Sequence, residues 1–594
     1  MRKGWHNMRK SFLAKATALA FCAALAYGMT PAEAANIATV DGLNVELNNG
    51  VIDLKLHGNG TAIYLSKNGG PNLVENVIKR KLTFYCDYHP AGQPDLPFLA
   101  SQVKVYTNNE NEAHIAYIDD KSPLAVEYHY RMTKGDSGLY SYVVARNNTG
   151  KVYPVGEFRT VYRIDMDKLP NAYNAYRQAP MPSSDHMKQF KKLQDETYDM
   201  DDGLKYTNST IYSKYDFAGY YKDNPLWGTY GNGKGFWYIP VSTEAYPGGP
   251  MKQDLLVHYD GIILNYMMGA HFGTGVTNIP AQWTKMYGPW YLYINDGTSD
   301  EDVIFDARRR AASEARQWPY AWVQEDEALY PKQRGSVKGQ LHLSNGGIVD
   351  HAQVILAKPG VDIVHDSLDY IFSADTDGSG HFQIDKIRPG TYELTAYMQG
   401  GYSGDVTTEL KKGSITVEPG KTTDLGTVEW NVPNRKTIWQ LGTADRKACE
   451  FKYGGELRNH MWSLMLPDDV DFTIGKSNES EDWYYAQEGM GSYNINFNMD
   501  KVDAKAYHLT VCLAGFTAKG NNRAFDIILN GKVLKTCSYA NDQTVYRSGN
   551  TSGTYHQEDF DIPASEIHPG KNTVTFRDKD GIILYDSVIF SAVE

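Results

Sequence analysis

Cysteine is scarce: five in 594 residues, and Cys86, Cys449, Cys512 and Cys537 stand too far apart for any metal-ligand spacing. That excludes a zinc module or a disulfide framework, and leaves at most a Cys512–Cys537 bridge in an oxidising compartment. Positive charge is short as well, with 59 Lys+Arg against 71 Asp+Glu and a formal net charge of −12. Nucleic acid is excluded as a partner, because its binding needs an excess of Lys/Arg at phosphates. Long apolar runs are missing after Tyr27: none approaches the roughly 20 residues of a spanning helix, so no membrane partner is expected. Helical periodicity is equally rare. Its clearest stretch, Glu301 to Trp318, ends where Trp318-Pro319-Tyr320 stops it.

What is there begins with an address. Arg2, Lys3, Arg9 and Lys10 precede an apolar run from Phe12 to Tyr27, and Ala32-Glu33-Ala34 has the small-x-small form of a signal-peptidase site. Residues 1–34 therefore read as a signal peptide, and the protein as secreted or periplasmic. Phe21 before Cys22 argues against a lipid anchor. Cleavage removes five basic and one acidic residue and takes the charge to about −16.

The remainder alternates polar and apolar residues between turn dipeptides, which predicts an all-β chain. Its divisions are a large β-sandwich over residues 35–330, a fibronectin III-like or carboxypeptidase-regulatory-like sandwich over 331–430, and a jelly-roll carbohydrate-binding-like domain over 431–594. In the second, GSVKGQLHL, HAQVILAK, HFQIDKI, TYELTAYM and GSITVEPG read as strands. Asp375-Thr376-Asp377-Gly378-Ser379-Gly380 resembles the start of a calcium loop, but Lys386 stands where the bidentate Glu belongs, so a hairpin turn is expected. In the third, YHLTVCLAGF, RAFDIILNGK, NTVTFRDK and GIILYDSVIF are strands, with a type I′ turn at Asn530-Gly531. Trp483, Tyr484 and Tyr485 form either a stacking platform or core. Structural Ca2+ is possible in this domain.

The densest aromatic and cationic stretch is Tyr212 to His271. It interleaves Tyr212, Lys214, Tyr215, Tyr246, Lys252, His258 and His271 with turn glycines. Ring faces beside cations suit an acidic sugar polymer, whose rings stack and whose carboxylates need counter-charge. The bland alternative is tyrosine-rich strand core. A glycoside hydrolase would need two opposed carboxylates, for which Glu157, Asp216 and Asp254 are available. A non-catalytic glycan binder would keep the aromatics and tolerate loss of Lys214.

A run of short motifs in fixed order narrows the choice: Gly156-Glu157-Phe158-Arg159, Tyr212-Ser213-Lys214-Tyr215, Gly248-Gly249-Pro250-Met251-Lys252-Gln253-Asp254-Leu255, Gly269-Ala270-His271, Gly288-Pro289-Trp290, Trp318-Pro319-Tyr320, and Ile438-Trp439-Gln440-Leu441-Gly442 before Asp445-Arg446. In these the chain resembles the rhamnogalacturonan lyases of polysaccharide lyase family 4. The resemblance implies a galactose-mutarotase-like N-terminal sandwich and β-elimination at O4 of galacturonate in rhamnogalacturonan I, an acidic plant polysaccharide. Residues 150–290 hold no dense Asp/Glu cluster with oxygen-ligand spacing, so no cofactor is expected to be required for catalysis; a monomer is expected.

That chemistry needs a cation on the uronate carboxylate, a base at C5 and an acid at O4. The resemblance implies Lys214 as base; a lysine serves only if burial or neighbouring positive charge lowers its pKa. Arg159 is the candidate carboxylate fork, with Arg163 behind it. Fungal members carry histidine where this chain has Lys252, so the acid stays open among Lys252, His271 and Tyr246. Tyr212 and Tyr215 complete the expected substrate contacts. No metal-ligand cluster is expected in residues 150–290.

Overall fold

The computed structural model describes residues 35–269, 271–273, 275–518 and 524–593. The expected signal peptide lies outside them. Asn36–Glu594 form one compact unit built around three large hydrophobic cores, and the strands that make them are almost all antiparallel.

The first core runs from Ile37 to Ile294. A nine-stranded sheet and a six-stranded sheet meet across it. The contact is direct: Tyr162 shares a hydrogen bond with Tyr128 at 3.0 Å and accepts one from the Trp290 indole at 2.8 Å. The Tyr153–Arg163 strand shows how alternation divides labour. Phe158 and Tyr162 enter this core with Thr160 beside them, while Glu157, Arg159, Val161 and Arg163 face the other way. Across the sheet Arg159 pairs with Asp87 and Tyr266, Val161 with Tyr85 and Leu264, and Arg163 with Ile262. That outer face carries a small second cluster of Val161, Tyr215, Leu255, Leu264, Tyr266 and Phe272.

The expected helix is present at Asp300–Gln317, its first turn capped by the Ser299 side chain. It buries Val303, Ala307 and Ala311 against the back of the nine-stranded sheet. Buried Glu314 is satisfied by the hydroxyl of Tyr140 at 3.0 Å.

The second core, Val337 to Trp430, lies between a three-stranded and a four-stranded sheet. Gly335–Leu343 and His381–Ile387 fall where alternation placed them. Asp377 makes the expected turn, its carboxylate accepting from the N–H of Ser379 and His381 at 2.9 and 3.0 Å.

The third core, Trp439 to Phe590, is organised by one 24-residue strand, Gly570–Val593. The sequence suggested two strands here. They are continuous because Asp580 takes a positive φ of 87° opposite a bulge at Gly489/Met490 and the pairing resumes beyond it. Trp483 is core, fully buried against Tyr493 and Tyr585 at 5.3 and 5.0 Å, and Tyr485 is buried with it; of the three platform aromatics only Tyr484 is partly exposed. Asn530 and Gly531 have φ of 49° and 82°, as a type I′ turn requires. The four cysteines among the described residues are free thiols; Cys512 accepts a hydrogen bond from Tyr555 at 3.2 Å.

Candidate active site

Ser213 and Asp216 build the turn that presents Lys214. The Ser213 hydroxyl accepts from the Tyr215 N–H at 3.2 Å, and the Asp216 carboxylate accepts from the Ser213 N–H at 3.1 Å. This capping box starts a 3₁₀ turn over Lys214–Phe217. Lys214 therefore stands at the mouth of a turn and not in a strand. Its backbone N–H is tied to Glu196 at 2.9 Å, and its half-buried ammonium makes no hydrogen bond or ion pair with the described residues. Burial lowers its pKa; Asp195 opposes the shift, and the Arg159 and Arg547 guanidiniums add to it.

Two histidines share this field. His271 follows Gly269, whose φ of 61° is open only to glycine here, since an added Cβ would meet the Gly156 carbonyl at 1.7 Å. The His271 ring sits between Tyr266 and Tyr215, with centroids 5.1 and 5.6 Å away, and its Nδ1 finds no partner among the described residues. His258 donates from Nδ1 to the Tyr259 carbonyl at 3.1 Å, which leaves Nε2 unprotonated. Both pKa values lie well below the ordinary histidine range, through burial first and then the charges of Lys214 and the arginines. Burial and these charges favour the neutral form of both rings.

Arg547 closes the group from the third core. Its Nε and Nη2 hold Asp195 at 3.1 and 3.0 Å, its Nη1 donates to the His271 carbonyl at 2.7 Å, and its guanidinium lies 4.9 Å from the Tyr215 ring centroid. Tyr215 donates to the same Asp195 carboxylate at 2.6 Å. Two Arg547 N–H groups remain for a ligand.

The other expected residues fall into two groups. Arg159 is beside Lys214, but its guanidinium is taken by both Asp87 oxygens at 2.8 and 3.0 Å and by Glu157 at 2.6 Å. It is a fixed source of field and not an open fork. Arg163 lies further along the same strand face, donating to the Leu82 carbonyl and the Tyr85 hydroxyl at 3.2 and 3.1 Å. Lys252 and Tyr246 are interior. Lys252 is locked to buried Asp254 at 2.6 Å, and the Tyr246 hydroxyl is shared between Tyr238 and Asn265 at 2.9 and 2.7 Å. The Tyr246 hydroxyl is spent inside the core, whereas Lys252, though tied to Asp254, lies on the wall of a cavity it shares with Tyr220, Lys222 and Gln253. Tyr212 is fully buried with Met187, Tyr198 and Met200.

The carboxylates that a hydrolase would need are committed as well: Glu157 to Arg159, Asp254 to Lys252, and Asp216 to Arg177 at 3.5 Å. Asp87, His89 and Glu157 form the one group of three metal-ligating side chains that converge among the described residues, and Arg159 occupies it. Sequence reasoning missed Asp195 and Arg547: they are 352 residues apart, and nothing local marks either.

The profile described as polysaccharide lyase family 4, domain II, matches residues 333–425, and that for domain III matches residues 437–593. A rhamnogalacturonate lyase of Dickeya dadantii is 38% identical over 562 residues, covering 93% of this chain and 93% of that protein. The probable rhamnogalacturonate lyase B of Aspergillus niger is 26% identical over 554 residues, covering 82% of this chain and 77% of that protein. The rhamnogalacturonate lyase B of Emericella nidulans is 27% identical, covering 88% of each. Fold and comparisons together define a polysaccharide lyase. More narrowly, the chain belongs to polysaccharide lyase family 4, among the rhamnogalacturonate lyases.

Proposed function

We propose that this enzyme cleaves the rhamnose–galacturonate backbone of rhamnogalacturonan I by β-elimination at O4 of galacturonate, with Lys214 as the base. The observation that carries the assignment is an ammonium without an acceptor, its pKa lowered by burial, between two arginines and two neutral histidines. A lysine so placed reaches its free-amine form at a lower pH than an exposed one. The C5 proton then moves to Nζ, the electron pair forms the C4–C5 double bond, and O4 leaves with the rhamnose-bearing fragment, taking up a proton from water.

The charge that gathers on the uronate carboxylate during abstraction is met by the open N–H groups of Arg547 and by the field of Arg159. His271 assists O4 as a neutral imidazole N–H donor. No metal enters this scheme, because arginines supply the positive charge that a cation supplies elsewhere. Residues 1–34 export the protein.

The test is the ultraviolet absorbance of a 4,5-unsaturated uronate during incubation with rhamnogalacturonan I. Wild-type protein raises it and Lys214→Ala does not, while glycan affinity and thermal unfolding stay close to wild type. Reducing ends appearing without that absorbance would make the enzyme a hydrolase, and wild-type turnover in Lys214→Ala would remove Lys214 as base.

A further inference from the structure

Residues 35–330, 331–430 and 431–594 each give wall to one cavity of about 280 Å³: Tyr220, Lys222 and Lys252 from the first, Tyr397 from the second, Lys447 and Tyr555 from the third. Junctions of this kind are favoured places for ligands, and the volume lies near the lower bound of ligand sites, about 300 Å³. That suits a mono- or disaccharide and not the passage of a polymer strand. Phe272 and Gly273 line the same space, so it begins one residue beyond His271.

Charge on the wall is balanced. Lys252 is spent on Asp254, Arg446 on Glu409 and Asp362 on His365, each at 2.6 Å. Against Asp445, whose carboxylate accepts from the Lys447 N–H at 2.9 Å, stand two ammoniums with little to hold. Exposed Lys222 reaches only the Gln353 amide oxygen, at 3.5 Å. The Lys447 ammonium has no acceptor among the described residues and lies 5.9 Å from the Tyr220 ring centroid. The aromatic walls are fixed from behind. Tyr397 and Tyr555 enclose the Arg446 guanidinium, with centroids 3.8 and 4.6 Å from its carbon, and the Tyr220 hydroxyl shares a hydrogen bond with Ser552, which also accepts from the Gln253 amide at 3.0 Å. Spare donors and a carboxylate beside rigid rings fit a neutral ligand rich in hydroxyls. An anion would meet Asp362, Glu409 and Asp445 together.

We propose that this cavity binds a neutral sugar carried as a branch on the rhamnose next to the scissile bond, its ring against Tyr220 and its hydroxyls on Lys222, Lys447 and the Asp445 carboxylate. The proposal rests on the rhamnogalacturonan reading above. In that reading His271 stands at the departing O4, which leaves with the rhamnose, and the cavity starts immediately behind it at Phe272. A substituent on that rhamnose leaves the line of the backbone and has this space to enter. The enzyme then selects branched stretches of the polymer and does not merely tolerate them.

The experiment is calorimetric binding of two rhamnogalacturonan fragments of equal length, one bare and one carrying single galactose residues on its rhamnoses, in the Lys214→Ala background so that both stay intact. Lys222→Ala/Lys447→Ala removes the two spare ammoniums, and Thr554→Trp fills the cavity from a half-buried position on its wall; thermal unfolding checks that each variant is folded. The branched fragment is expected to bind about tenfold tighter than the bare one, the contribution of one hydrogen bond to a charged group. Either variant removes that advantage and leaves the affinity for the bare fragment in place. Equal affinity for the two fragments in the parent, an advantage that survives both variants, or the same loss on both fragments overturns the branch site. Wild-type protein that produces no unsaturated-uronate absorbance from the bare fragment defeats the lyase reading, whereas the branch site is judged by the ratio of affinities alone.

Discussion

Arg547 Nη1 donates to the backbone carbonyl of His271 at 2.7 Å, while the same guanidinium holds Asp195 through Nε and Nη2. One side chain from the C-terminal part of the chain thereby fixes two segments of the N-terminal sandwich around Lys214. Charge-assisted bonds of this kind are about twice as strong as neutral ones, and a planar fork makes them in fixed directions.

Arg547→Ala is expected to lower kcat/KM on rhamnogalacturonan by about 10²-fold, the usual loss when one preorganised donor is removed. Arg547→Lys recovers little, because an ammonium cannot span Asp195 and the His271 carbonyl together. Initial rates of unsaturated product decide it, and an unchanged kcat/KM in Arg547→Ala would leave Arg547 a purely structural tie.

The pH profile separates a lysine base from a histidine one. Lys214 has its pKa lowered by burial, with Asp195 opposing and the arginines adding. The rising limb of kcat/KM, which follows loss of the Lys214 proton, should therefore lie below the ordinary lysine value. Asp195→Asn removes a carboxylate that favours the ammonium and moves this limb to lower pH. Arg547→Gln removes a positive neighbour and moves it to higher pH. Each shift is about one unit or less. If both variants moved the limb in the same direction, Lys214 would not be the titrating base.

Lys252 and Asp254 make a buried pair at 2.6 Å, in which burial outweighs the lysine's pull and pushes the Asp254 carboxyl up to about 6. Lys252→Met strands that carboxyl and is expected to cost about 3–5 kcal/mol. Lys252→Met/Asp254→Leu, which replaces the pair by apolar volume, recovers most of the loss in thermal unfolding and keeps kcat within a few-fold of wild type. A well-folded double variant with no turnover would return Lys252 to the role of acid.

Alternation and turn chemistry made the architecture legible. Gly335–Leu343, His381–Ile387 and the Asp300–Gln317 helix lie within a residue or so of where periodicity put them. The site was legible only as a neighbourhood. Lys214 and Tyr215 stand in it because Ser213 and Asp216 encode a turn within four residues. Asp195 and Arg547 were not visible, since their pairing depends on how two distant segments dock. Lys252 shows a different limit: a cation in a glycine-rich run looks free until Asp254, two residues on, is seen to pair with it. Trp483 shows the same limit, because an aromatic triplet has the same spelling in a platform and in a core.

Glu244 ties the first core to the second, buried between Arg334 at 2.6 Å and Arg388 at 2.8 Å. Burial alone would raise its pKa, yet the two guanidiniums hold it below the ordinary glutamate value. A carboxylate with a depressed folded-state pKa contributes stability that is present above the unfolded value and is lost as pH falls through the folded one. Wild-type thermal stability should therefore drop as pH goes from about 5 toward 3. Glu244→Gln strands two buried guanidiniums and is expected to be destabilised by about 3–5 kcal/mol at neutral pH, with a shallower fall on acidification because its side chain has no proton left to take up. Melting curves of both proteins across that range measure the difference, and parallel curves would show that Glu244 carries none of the acid sensitivity.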